Sequence, residues 1–184
     1  REPQQLTFYA NDWDRDATGA NQFYPLGTLP GSCRSRIQIF PQSVRVLPGA
    51  SESIRISLFP GDSTQAACWT VVFAETAPAA SRTGSRIAFV TRLGVKVYVT
   101  AGNATRDATI DSMAVAPHLV EPGASAADSA VKQDVVIWFH NTGGAQLTAK
   151  GSAEFRTADN KSVAKVAVDD TPVLPGALRR IRVP

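Results

Sequence analysis

Few residues in this chain could do catalytic chemistry. It has two histidines: His118 follows Pro117, and His140 precedes the turn Asn141-Thr142-Gly143-Gly144. Neither lies in a serine or cysteine context resembling a nucleophile elbow, and Gly-x-Ser-x-Gly is absent. Both histidines therefore read as solvated residues at strand ends or in loops, and no catalytic residue is assigned. Cys33 and Cys68 form no CxxC pair and have no histidine nearby. A zinc site needs about four ligands, so the two cysteines read as a single disulfide, which implies an oxidising compartment. Asp12, Asp14 and Asp16 alternate as carboxylates do in a calcium loop. An EF-hand needs glycine at its sixth position and glutamate at its twelfth. Counted from Asp12, those places hold Ala17 and Phe23. The expectation is a polar loop between strands, anchored by Trp13, with no metal and no cofactor.

What remains is binding, and the bulk composition limits its kind. The 184 residues are 43% hydrophobic and 19% charged, with a net charge of +3. The Arg and Lys residues are scattered, without the clustered basic face that nucleic acid requires, so no nucleic-acid partner is expected. No stretch approaches the ~20 apolar residues of a membrane span, so no membrane insertion is expected. The opening run Arg1-Glu2-Pro3-Gln4-Gln5 is polar, so any export signal is expected to have been removed or left out. Asn103-Ala104-Thr105 and Asn160-Lys161-Ser162 are formal glycosylation sequons. The three tryptophans read as core or strand residues before they read as a sugar platform.

The elements that must position any site are strands. Alternating or β-branched runs recur at Leu6–Tyr9, Arg36–Phe40, Ser53–Leu58, Trp69–Phe73, Ile87–Val99, Val135–His140, Ser152–Phe155, Val163–Val168 and Arg179–Val183. Pro-Gly and Gly-Gly turns separate them, the pattern of a sandwich or barrel. No window carries a helical stripe, and Gly123–Ala130 reads as an exposed loop. An internal repeat sharpens the picture. Val46-Leu47-Pro48-Gly49-Ala50 recurs as Val173-Leu174-Pro175-Gly176-Ala177, and at the same spacing Ile54-Arg55-Ile56 meets Ile181-Arg182-Val183. Each copy reads as a hairpin around a Pro-Gly turn. Gln5-Leu6-Thr7 recurs as Gln146-Leu147-Thr148 at a longer spacing, and the surplus is assigned to Asp12–Gly31 as extra loop.

Two related domains explain the repeat. The fold class is all-β, two immunoglobulin-like β-sandwich domains covering 1–101 and 102–184. The first copy is expected to lack its first strands and the second its last, through trimming or, alternatively, because another chain supplies them.

The segment Ser85–Val99 stands out because it exceeds the ~5–6 residues of an average strand. Alternation puts Ile87, Phe89, Thr91 and Leu93 on one side and Ala88, Val90 and Arg92 on the other. Both rows are largely apolar. The strand is therefore either buried on both faces or offers one row to a partner.

The order of motifs resembles the periplasmic chaperones of chaperone–usher pilus assembly, of the short-loop type. The matching features are Val44–Ile56 with its Leu-Pro-Gly turn, then Cys68–Pro78, an aromatic strand ending in Glu75 and Pro78. The long strand follows, then a second sandwich with Asn141-Thr142-Gly143-Gly144 and a Leu-Pro-Gly-x-x-Arg segment. The resemblance implies two domains in an L or boomerang. It also implies a non-enzymatic, periplasmic protein that complements pilus, fimbrial or spore-coat-like subunits by donating a strand and delivers them to an outer-membrane usher. By position, Ile87, Phe89, Thr91 and Leu93 would bind the subunit. Lys96 and Arg92 are candidates for anchoring the subunit's C-terminal carboxylate, and Glu75 for an interdomain ion pair. Two rival readings remain on the residues alone: a secreted two-domain adhesion or structural module, and a pilin-like subunit that accepts a strand.

Overall fold

The computed structural model describes residues 2–59, 67–78, 89–118 and 133–183. Among these residues every regular element is a strand. The chain forms two compact units, the first of Arg1–Asp14 with Gln22–Val99, the second of Thr100–Pro184 with Arg15–Asn21.

The first unit contains β1 (Gln4–Arg15), β2 (Asn21–Pro25), β3 (Ile37–Phe40), β4 (Ser43–Val46), β5 (Arg55–Leu58), β6 (Ala67–Thr76) and β7 (Arg92–Thr100). Its larger sheet runs in the order β2-β1-β6-β7, with β4 also against β1. β1 pairs antiparallel with β6 from Leu6↔Thr76 to Asn11↔Val71, and with β4 from Gln4↔Val46 to Thr7↔Ser43. β3 and β5 make a second sheet, paired from Ile37↔Leu58 to Phe40↔Arg55. The run Thr70-Val71-Val72-Phe73 in β6 is buried along its whole length, because a strand covered on both faces needs apolar residues at consecutive positions.

Asp12–Gly31 is only in part the loop its polarity led us to expect: 16–20 and 26–31 are turns and irregular chain. β1 continues through Arg15, and β2 follows. Asp12 and Trp13 are both buried. The Asp12 Oδ2 accepts the backbone N–H groups of Gly27, Thr28 and Leu29 at 2.9, 2.7 and 2.8 Å. A buried carboxylate serving backbone amides in this way looks polar in sequence while it organises the fold around it. Cys33 and Cys68 form a disulfide whose two residues are fully buried, tying the segment after β2 to the start of β6.

The second unit contains β8 (Ala108–Pro117), β9 (Gln133–Asn141), β10 (Leu147–Arg156), β11 (Ser162–Val173) and β12 (Leu178–Val183). Its sheets are β12-β9-β8 and β10-β11. Ala149, Val173, Ile181 and Val183 form the core, with Val135, Ile137, Phe139, Val166 and Val168 packed against it. β8 escaped the periodicity reading because a bulge between Ile110 and Ser112 breaks its alternation. Its apolar residues Ile110, Met113 and Val115 are consequently not evenly spaced by two.

The repeated Pro-Gly segments make the same turn in each unit. Ala50 N–H bonds Leu47 O at 3.0 Å and Ala177 N–H bonds Leu174 O at 3.1 Å. Gly49 and Gly176 take φ of 77° and 71°, as the third position of a type II turn requires after proline. Neither turn closes a hairpin, contrary to the expectation. β4 pairs with β1 while β5 pairs with β3. Likewise β11 pairs with β10 while β12 pairs with β9. The repeat is a corner that carries the chain from one sheet to the other.

Candidate functional site

β7 follows β6 in sheet order, and among the described residues β6 is its only strand neighbour. Thr91 lies beside Thr76, and Gly94 beside Phe73, so the two run in opposite directions. The residues of β7 divide by parity. Arg92 sits over the rings of Tyr9 and Phe73, at 5.8 and 5.2 Å from their centroids. A Cβ on Gly94 would stand 2.9 Å from Phe73 Cε1 and 3.0 Å from Val71 Cγ2. Lys96 Nζ lies 3.9 Å from the centre of the Trp13 ring, and Tyr98 meets the same ring edge-on at 5.8 Å. The even-numbered residues thus pack on an aromatic row of β1 and β6. Leu93 and Val95 do not, at 68% and 64% exposed, while Val97 and Val99 are half-buried. Phe89, three residues before β7 begins, is 79% exposed.

The strand is shorter than the sequence reading made it. β7 begins at Arg92, and Phe89 to Thr91 lie outside the regular strand. Ile87 lies outside the described residues. Thr91 is exposed, and its backbone is held at both groups: Thr76 N–H donates to Thr91 O at 3.0 Å, and Thr91 N–H donates to Thr76 Oγ1 at 3.0 Å.

The charged candidates come together differently from the scheme the resemblance implied. Arg92 Nε donates to Glu75 Oε2 at 2.7 Å, and the Tyr9 hydroxyl donates to the same oxygen at 2.6 Å. All three residues belong to the first unit. The Tyr9 hydroxyl and then the Arg92 guanidinium hold the Glu75 carboxyl below its ordinary range. The Glu75 hydrogen bond raises Arg92 in turn. Burial first, and the Glu75 hydrogen bond second, push the Tyr9 phenol up. Lys96 stands four positions further along β7, against Trp13 and apart from this triad. Tyr9, Thr76 and Gly94 were not singled out in the sequence, since nothing local marks contacts made across strands.

The histidines occupy structural positions. His118 Nδ1 lies 2.5 Å from Asp134 Oδ1, and Arg182 donates to Asp134 Oδ2 at 2.7 Å and to Pro117 O at 2.8 Å. This cluster pins the end of β8 to β9 and β12. His140 faces Asp111 at 3.5 Å. Among the described residues, no three of His, Cys, Asp and Glu gather in a group able to hold a metal ion.

No family model and no curated protein matches this chain. Solved structures do. A chain from a structure titled "Chaperone-tip adhesin complex is vital for synergistic activation of CFA/I fimbriae biogenesis" aligns with a TM-score of 0.56 at 15% identity, over 98% of this chain and 72% of that one. The class 5 fimbriae chaperone CfaA aligns with a TM-score of 0.50 at 17% identity, over 96% and 72%. The fold is that of the fimbrial chaperones. The all-β architecture in several sheets matches that fold.

Proposed function

We propose that this protein is a non-enzymatic assembly chaperone of fimbrial type, which holds an incomplete subunit by pairing β7 and the residues before it with the subunit's open edge. The observation that carries this reading is the row Phe89, Thr91, Leu93 and Val95. These apolar or β-branched side chains recur at every second position and lie open to solvent on β7 and just before it. Strand addition uses such a row: backbone hydrogen bonds give affinity, and alternate side chains enter pockets of the partner. Burying each large apolar side chain is worth about 1.5–3 kcal/mol, enough for a few of them to decide binding. The fold of two fimbrial chaperone structures supports the same reading. The buried disulfide supports an oxidising compartment such as the periplasm. Delivery to an outer-membrane usher belongs to the proposal, as do Ile87 as a further donated side chain and an anchor for the subunit's terminal carboxylate. Lys96 and Arg92 are the cations for that anchor, and Arg92 would have to share its guanidinium with Glu75.

Co-expression with a fimbrial subunit that lacks its last strand, followed by purification, tests the proposal. A stoichiometric complex is expected, lost in Phe89→Asp combined with Leu93→Asp. A complex unaffected by both substitutions would remove β7 from the interface. A chain that is stable alone and never captures a subunit would favour an adhesion module.

A further inference from the structure

Two consecutive residues at the end of β6 hold two consecutive residues at the start of β7. Thr76 exchanges hydrogen bonds with Thr91 through its N–H and its hydroxyl, and Glu75 grips Arg92 while itself bonded by Tyr9. Arg92 is further confined by the faces of Tyr9 and Phe73. This clasp closes the point where the chain passes from an irregular segment into β7. It also decides the parity of the strand, because fixing Arg92 inward turns Thr91 and Leu93 outward, and a slip by one residue would invert every side chain. We infer that Glu75 and Thr76 are positioning residues, which set the register in which the apolar row faces a partner without touching the partner themselves. The inference rests on the chaperone reading for its purpose, and on the hydrogen bonds alone for its mechanism. Thr76 is the sharper probe, since an ordinary strand pair uses a backbone carbonyl to accept the amide that Thr76 Oγ1 accepts here.

The test compares Thr76→Val, which keeps the β-branched shape and removes the hydroxyl, with Thr76→Ser, which keeps the hydroxyl. Amide hydrogen exchange on the free chain is the first readout. Thr76→Val is expected to speed exchange at Thr91 and its neighbours in β7 by about fivefold to tenfold, the loss of one hydrogen bond. Thr76→Ser should restore protection, and Tm should hold in both. Exchange unchanged in Thr76→Val would overturn the inference, as would equal loosening in the serine variant. Co-purification of the co-expressed subunit is the second readout. Thr76→Val should weaken capture while Phe89→Asp abolishes it with β7 still protected. If the wild-type chain captures no subunit, the chaperone reading fails while the exchange experiment still decides the clasp.

Discussion

Glu75 and Arg92 form an ion pair at 2.7 Å in which the same carboxylate oxygen also receives the Tyr9 hydroxyl. The pair joins β6 to β7 within the first unit, and half of the Arg92 side chain remains exposed. An exposed ion pair contributes little on its own. Two neutral bonds at Thr76 and two aromatic faces complete it, so its effect is on the geometry of one strand end.

The pH dependence of that strand end follows from the direction of each shift. Glu75 is depressed in the folded chain, so its contribution is present above the ordinary glutamate pKa of ~4.3 and is lost as pH falls through the lower folded value. Tyr9 is raised, so its contribution is present below the ordinary tyrosine pKa of ~10 and is lost as pH rises through the higher folded value. Exchange protection at Thr91 and Arg92 should therefore be flat between these limits and fall on both sides. Glu75→Gln should flatten the acid limb and leave the alkaline limb in place. An acid limb unchanged in that variant would show that another group governs it.

Gly94 is required by what lies under it. A Cβ at that position would meet the buried Phe73 ring and Val71 at about the distance where real contacts cease. Gly94→Ala should cost about 1–3 kcal/mol, the usual penalty for overpacking, read as a lower urea midpoint. Phe73→Leu in the same chain should recover part of it, since the clash is with the ring. Loss without recovery would place the strain in the backbone instead.

How much of this was legible in the sequence depends on where the signal resides. β6 announced itself because a central strand must be apolar along its length, as Val71, Val72 and Phe73 are. The Pro48-Gly49 and Pro175-Gly176 corners were found because their turn needs those residue types, but which sheet the chain enters next is set by distant partners. β8 was hidden by its bulge. Asp12 misled, because a buried carboxylate that serves backbone amides has the same letter as one in an exposed polar loop. At the candidate site, period alone put Phe89, Thr91 and Leu93 in one row; all three are exposed, with Phe89 and Thr91 outside the regular strand. The clasp was not legible, since Tyr9 reaches Glu75 across strands that only the fold brings together.

Asp12 should behave as a core residue. Asp12→Ala removes the shared acceptor of three N–H groups, at Gly27, Thr28 and Leu29, for a loss of about 1.5–3 kcal/mol, since Gly27 and Thr28 are exposed and their amides can turn to water. Asp12→Asn keeps a carbonyl oxygen in place and should lose about half as much, because a neutral acceptor is the weaker one. Chemical denaturation of the two variants checks the order. Equal losses would mean that charge, and not the bonds, holds the segment.

Asn141 plays the corresponding part in the second unit and makes the more discriminating test. Its side chain is fully buried, donates to Ala145 O at 2.8 Å and Val173 O at 3.0 Å, and accepts from Gly143 N–H at 3.0 Å. Gly143 cannot carry a side chain, because a Cβ there would stand 2.7 Å from Asp107 N and Thr105 O. Gly143→Ala should therefore cost about 1–3 kcal/mol at any pH. Asn141→Asp is nearly isosteric but replaces the donor by an oxygen facing two carbonyls. In that variant the carboxyl would be driven to stay protonated, its folded pKa raised by burial and by its neighbours. A raised folded pKa places the retained stability below the ordinary aspartate pKa of ~3.9, with loss as pH climbs through the folded value. Asn141→Asp should thus lie nearest to wild type in acid and furthest from it at neutral pH, the reverse of ordinary acid denaturation. A deficit independent of pH would show that the two carbonyls and burial do not raise the carboxyl's folded pKa.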